Sequence, residues 1–89
     1  MEYRTAKYAY GGIAVMAFEK GEPFVDCSVC LYDYGYIPPK GHIVVPTYKL
    51  LKETNDKIIS DIADEVVGTI TFGPYKAEGT LIRLKEEYR

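Results

Sequence analysis

The chain has 89 residues, 47% hydrophobic and 27% charged, with a formal net charge of −2. This composition supports one core and one folded domain over residues 1–89, and it argues against disorder, which needs low hydrophobicity and high net charge. The slight acidity also argues against broad nucleic-acid binding, which needs clustered Lys and Arg.

No run approaches the ~18 apolar residues of a membrane span, and Met1-Glu2-Tyr3-Arg4-Thr5 has no apolar signal-like core, so no membrane or export role is expected. Nine Tyr and no Trp are the main compositional bias, and Gln is absent altogether.

Taken in order, Glu2 to Tyr10 has the tyrosine content of an edge strand, although its alternation slips near Ala6. Gly11-Gly12 reads as a turn or bulge, because both residues reach φ > 0 freely. Ile13 to Phe18 is apolar on both faces, which predicts a strand that is central or has one face under a helix. Lys20-Gly21 is the expected hairpin turn, and Pro23 opens the next strand where a missing N–H costs least.

Phe24 to Tyr32 is read as the second long strand, with Val25, Cys27, Val29 and Leu31 on its core face. Tyr34 to Gly41 is then a loop, since Pro38-Pro39 forbids a helix. His42 to Pro46 is a short strand, placed at an edge or ended by its proline.

Ile58, Ile59, Ile62, Ala63, Val66 and Val67 repeat at helical spacing. They predict one amphipathic helix of about three turns, capped by Thr54 or Asn55 and stopped at Gly68. Thr69–Phe72 and Thr80–Leu84 are strands around a Gly73-Pro74 turn, and Lys85–Arg89 is expected to fray. The sum is an α+β domain: a mostly antiparallel sheet of about five to six strands with one helix packed on one face. A free edge at Glu2–Tyr10 or His42–Pro46 leaves both monomer and homodimer open.

Candidate chemistry is sparse. Cys27-Ser28-Val29-Cys30 is a C-x-x-C, but residues i and i+3 of a strand point to opposite faces, so the thiols are expected to act as ordinary small residues. The single histidine, His42, has no nucleophile motif beside it. Neither a Walker loop nor a dinucleotide fingerprint occurs. No cofactor or metal site and no catalysis are expected.

Two surfaces remain. Asp61, Asp64 and Glu65 fall on the polar side of the predicted helix; a solvated face is the ordinary reading, and an acidic stripe facing a basic partner groove is the functional one. Tyr32, Tyr34 and Tyr36, with Tyr8, Tyr10, Tyr48 and Tyr75, are the main functional clue, because tyrosine offers area with little entropy cost; Tyr32, Asp33, Tyr34 and Tyr36 form a Gly/Pro-bounded loop of binding-surface composition. Core packing explains Tyr32 equally well, but not two tyrosines in a loop. Base stacking on these rings would need a positive groove; Lys40, Lys49, Lys52 and Lys76 are the candidates for one.

Gly11-Gly12-Ile13-Ala14, Gly21-Glu22-Pro23-Phe24 and Ser28-Val29 followed by Leu31-Tyr32-Asp33-Tyr34 resemble a family of small uncharacterised proteins carried by phages and conjugative elements. Similarity extends over Gly41 to Leu84, with Cys30 departing from the family's usual Asn and no Pro-Thr-Gly following the helix. The resemblance implies an accessory protein of a mobile element, acting in the host cytoplasm. By analogy of gene context, its partner would be a host protein complex such as a CRISPR effector, inhibited without catalysis. The alternative is a nucleic-acid-binding or regulatory module.

Overall fold

The computed structural model describes all residues from Met1 to Arg89. Six strands and one helix follow the order β1 (Glu2–Lys7), β2 (Ile13–Glu19), β3 (Glu22–Asp26), β4 (His42–Pro46), α1 (Lys52–Ile62), β5 (Ala63–Phe72) and β6 (Ala77–Leu84). The α+β class is as expected, but the strands divide into two antiparallel three-stranded sheets, β1-β2-β3 and β4-β6-β5.

In the first sheet β2 is central, as its two-sided apolar pattern predicts. Lys20 at φ 53° and Gly21 at φ 80° turn the chain into β3, the pair of positive φ values that suits a tight hairpin. Pro23 lies in β3, at the sheet edge. The first strand ends at Lys7; Tyr8 to Gly12 make the turn, closed by Tyr8 N–H on the Gly12 carbonyl at 2.8 Å.

The second long strand ends six residues earlier than expected, at Asp26 rather than Tyr32. Asp26 is the reason. Its carboxylate accepts the Ser28 N–H at 3.0 Å and the Ser28 hydroxyl at 3.1 Å, a side-chain turn that bends the backbone out of the sheet. The Ser28 hydroxyl oxygen in turn accepts the Val15 N–H at 3.2 Å. One step later Val29 N–H donates to the Val44 carbonyl at 3.1 Å, so this segment stitches the two sheets together.

The helix also differs from its expected span. It begins at Lys52 and ends at Ile62; Leu51 occupies the capping position without a side-chain cap, and Asn55 is buried inside the helix. Ala63 is already extended (φ −90°, ψ 131°), and Val66 and Val67 belong to β5. Their branched Cβ atoms favour a strand, and β6 supplies a partner. Two register shifts, between Ala63 and Glu65 and between Val66 and Gly68, let β5 pair along its length.

Ile58 and Ile62 of α1 meet Val15 and Ala17 of β2, Ile43 and Val45 of β4, and Ile82 and Leu84 of β6 in the main core. A second, smaller cluster lies on the opposite face of the β4-β6-β5 sheet: Leu31, Val44 and Leu81, flanked by Val29, Tyr36, Ile70 and Phe72. That sheet is therefore covered on both sides, by the helix and by the tyrosine loop. The C-terminal segment is held rather than frayed. Glu86–Tyr88 forms a single helical turn, Tyr88 packs on the main core, and the Arg89 guanidinium donates to the Leu84 carbonyl at 2.7 Å.

Candidate functional site

Leu31 anchors the tyrosine loop. Its side chain is buried in the second cluster, and its carbonyl accepts the N–H groups of Tyr34 at 3.0 Å and Tyr36 at 3.1 Å. Tyr32–Tyr34 forms one helical turn, ended by Gly35 at φ 75°, a conformation that favours glycine. A tight turn on a buried anchor sends its three tyrosines in different directions.

Tyr32 turns toward the first sheet. Its ring stacks on Tyr10 with centroids 4.7 Å apart, and Tyr10 stacks on Tyr8 at 5.3 Å, giving a column of three rings. Burial and the neighbouring Cys30 thiol, 3.1 Å away, push the Tyr10 phenol up to about 12. Tyr36 packs against the second cluster and is half-buried.

Tyr34 points the other way, and 57% of its surface stays exposed. It leans on Phe72 of β5 at 6.2 Å, and Tyr48, from the segment after β4, meets the same ring at 6.1 Å. Tyr75, in the β5–β6 turn, is 95% exposed. Tyr34, Tyr48, Phe72 and Tyr75 surround a shallow hollow of about 320 Å³. A larger groove of about 570 Å³ adjoins it, floored by Leu31, Ile70 and Phe72 and rimmed by Lys76. Lys49 lies 5.6 Å from the Tyr48 ring centroid.

Asp33 is exposed at the tip of the turn. The predicted acidic stripe is not one surface, because only Asp61 lies on α1, whereas Asp64 and Glu65 lie on β5. Two of the three are engaged within the chain. Asp61 accepts the Tyr3 hydroxyl at 2.5 Å and the Lys57 ammonium at 3.3 Å, and the Tyr3 bond chiefly holds its carboxyl below the usual range. Asp64 pairs with Arg83 at 2.9 Å and Arg89 at 3.5 Å. Glu65 is exposed.

Cys27 is buried, and that burial pushes its thiol up to about 12, while Cys30 is exposed. The pair does not converge. The His42 ring is engaged locally, its Nδ1 lying 2.9 Å from the Lys40 carbonyl oxygen. A cleft of about 220 Å³ next to it runs between Tyr8–Ile13 and Ile37–Ile43. No three His, Cys, Asp or Glu side chains come together as a metal site would require.

Phe72 is the member of the aromatic face that the sequence reading misses; Tyr48 and Tyr75 are among the tyrosines it singles out, but it does not join them to Tyr34. The clue was Gly73-Pro74-Tyr75-Lys76, a second turn carrying a tyrosine that a core has no use for.

No family model matches the chain, and comparisons with curated proteins and with solved structures give no match either. No helix is long and apolar enough to cross a membrane.

Proposed function

We propose that this chain is a small, non-catalytic binding protein whose aromatic face occupies a protein partner and blocks it sterically. One observation carries the reading: rings from three separate segments, Tyr34, Tyr48 and Tyr75, converge around Phe72 with more than half of each tyrosine exposed. Tyrosines gathered on a surface supply buried area at low entropy cost and keep a hydroxyl for the partner. Of the groups with reactive chemistry, the Cys27 thiol is buried, the His42 ring is tied to its own loop, and the exposed Cys30 thiol lies against the Tyr10 hydroxyl. The resemblance to phage and conjugative-element proteins supplies the partner class, a host defence complex such as a CRISPR effector, met in the host cytoplasm.

The test is affinity capture from a host lysate with the intact chain, followed by the same capture with Tyr34→Ala/Tyr75→Ala. Both rings are largely solvent-exposed, so the fold should survive, whereas Tyr36→Ala would open the second cluster. A central tyrosine pair in an interface is worth about 2–4 kcal/mol, so capture should drop at least about thirtyfold. Equal capture by the folded double variant would end this reading.

A nucleic-acid module is the second reading, favoured by Lys49 and Lys76 flanking the same rings. It predicts that single-stranded oligonucleotides bind at low salt and lose affinity steeply as salt rises. Absence of any mobility shift at low salt would dismiss it.

A further inference from the structure

The aromatic face is rich in hydrogen-bond donors and poor in acceptors. Its two hollows share Tyr34, Phe72 and Gly73, so one ligand can run across both. Their lining side chains include no carboxylate and no carboxamide, and Lys76 is the one charged residue among them. Asp33 and Glu78, acids close by in sequence, line neither hollow. Lys49 stands by the Tyr48 ring, and neither lysine is in an ion pair. The Tyr3 and Tyr10 hydroxyls find partners within the chain, away from this face. Those of Tyr34, Tyr36, Tyr48 and Tyr75 do not, which leaves four phenols free to donate.

We propose that this face binds a proline-rich segment in the polyproline II conformation, with acidic residues flanking the prolines. The proposal rests on the reading of the face as a protein-binding surface. The conformation is argued from hydrogen bonding. An α-helix keeps its carbonyls in its own ladder, and an added strand needs a sheet edge with acceptors for its N–H groups. Polyproline II has no internal hydrogen bonds, so every carbonyl is open to a phenol hydroxyl. Proline brings no N–H, so the shortage of acceptors on the face leaves nothing unpaired. Its ring packs on aromatic rings, and its fixed φ leaves little to order on binding.

Charge sets the flanks. Lys49 and Lys76 give this face a positive sign on a chain of net charge −2, which suits glutamate or aspartate beside the prolines. Bases also stack on tyrosine, but two lysines are a poor track for a phosphate backbone.

Fluorescence anisotropy tests this, with the intact chain titrated into a labelled peptide of six prolines flanked by two glutamates at each end. Binding should saturate at micromolar concentrations. Exchanging the glutamates for lysines should weaken it about tenfold. Tyr34→Phe/Tyr75→Phe keeps both rings and removes two donors, and it should also weaken binding about tenfold. Tyr34→Ala/Tyr75→Ala should abolish it, with unchanged far-ultraviolet circular dichroism showing both variants to be folded. No binding of the peptide by the intact chain overturns the proposal. Lysate capture that still depends on Tyr34 and Tyr75 would then keep the binding face and discard only this ligand; capture that does not would end both. Peptide binding that the Phe variant leaves unchanged overturns the proposal too, because the hydroxyls would then read nothing. So does a preference for oligothymidylate over the peptide at low salt.

Discussion

The hydrogen bond from Tyr3 to Asp61 ties β1 to α1, and it yields the sharpest test of the packing. Tyr3→Phe removes only the hydroxyl. The ring keeps its edge-to-face contact with Tyr88, centroids 5.9 Å apart, and its place against the main core. A hydrogen bond to a charged group contributes about 1.5–3 kcal/mol when its partner is left stranded. Asp61 would not be fully stranded: 31% of its side chain is exposed, and Lys57 still reaches the same oxygen at 3.3 Å. Solvent and Lys57 together reduce the expected loss to about 1 kcal/mol. In a domain of this size that lowers Tm by about 4–8 °C.

The pH dependence fixes the cause. Asp61 has its folded carboxyl below the usual range, so its contribution is complete above the unfolded value of about 3.9 and disappears as pH falls through the lower folded value. Burial, then the bond to Asp61, raises the Tyr3 phenol, so the contribution persists up to the ordinary phenol value of about 10 and is lost above it. Urea unfolding of both proteins at pH 7 and at pH 2 should show a gap of about 1 kcal/mol that shrinks in acid. An equal gap at both pH values would refute the charge-assisted bond and leave only lost packing.

Ser28→Ala should cost about 1–3 kcal/mol in urea unfolding, because the buried hydroxyl is the acceptor for the Val15 N–H and removing it orphans that donor. Gly79→Ala should cost at least about 1–3 kcal/mol by thermal melting: a Cβ there would lie 2.5 Å from Val44 Cγ1 and 3.2 Å from the Val45 carbonyl oxygen, in the middle of the second sheet. Lys20→Asn should raise stability by about 0.5 kcal/mol, since Lys20 holds φ 53° in the hairpin turn and asparagine tolerates that conformation better.

Short-range signals were read well where one local rule acted alone. Lys20-Gly21, Pro23 and Pro46 sit as turn, edge strand and edge strand, because each restricts its own backbone whatever surrounds it. The reading failed where two periodicities overlap. Apolar residues at 58, 59, 62, 63, 66 and 67 satisfy a helix throughout, yet only the first three lie in one. From Ala63 onward the pairing offered by Ile82, Arg83 and Leu84 outweighs local spacing, and those residues lie some twenty positions away. Asp26 was a missed local signal: Asp-x-Ser forms a side-chain turn, and an alternation carried through to Tyr32 hides it. The tyrosine loop is legible as a loop, but the aromatic face is not, since Tyr48, Phe72 and Tyr75 meet Tyr34 only through the fold.

The switch from helix to strand at Ala63 also decides which surfaces remain for a partner. Had the helix run on to Val67, Asp61, Asp64 and Glu65 would have formed one acidic stripe. As a strand, the segment sends Asp64 out at the first register shift toward Arg83 and Arg89, where it helps hold the C-terminal turn. Those pairs are exposed and each contributes little to stability. Their effect is to neutralise an acid that would otherwise be free. The same change places Ile70 and Phe72 under the tyrosine loop and leaves the far edge of β5 open. The single acidic stripe expected of a longer helix is thus absent, and the aromatic face proposed as the binding surface rests on the same strand through Phe72.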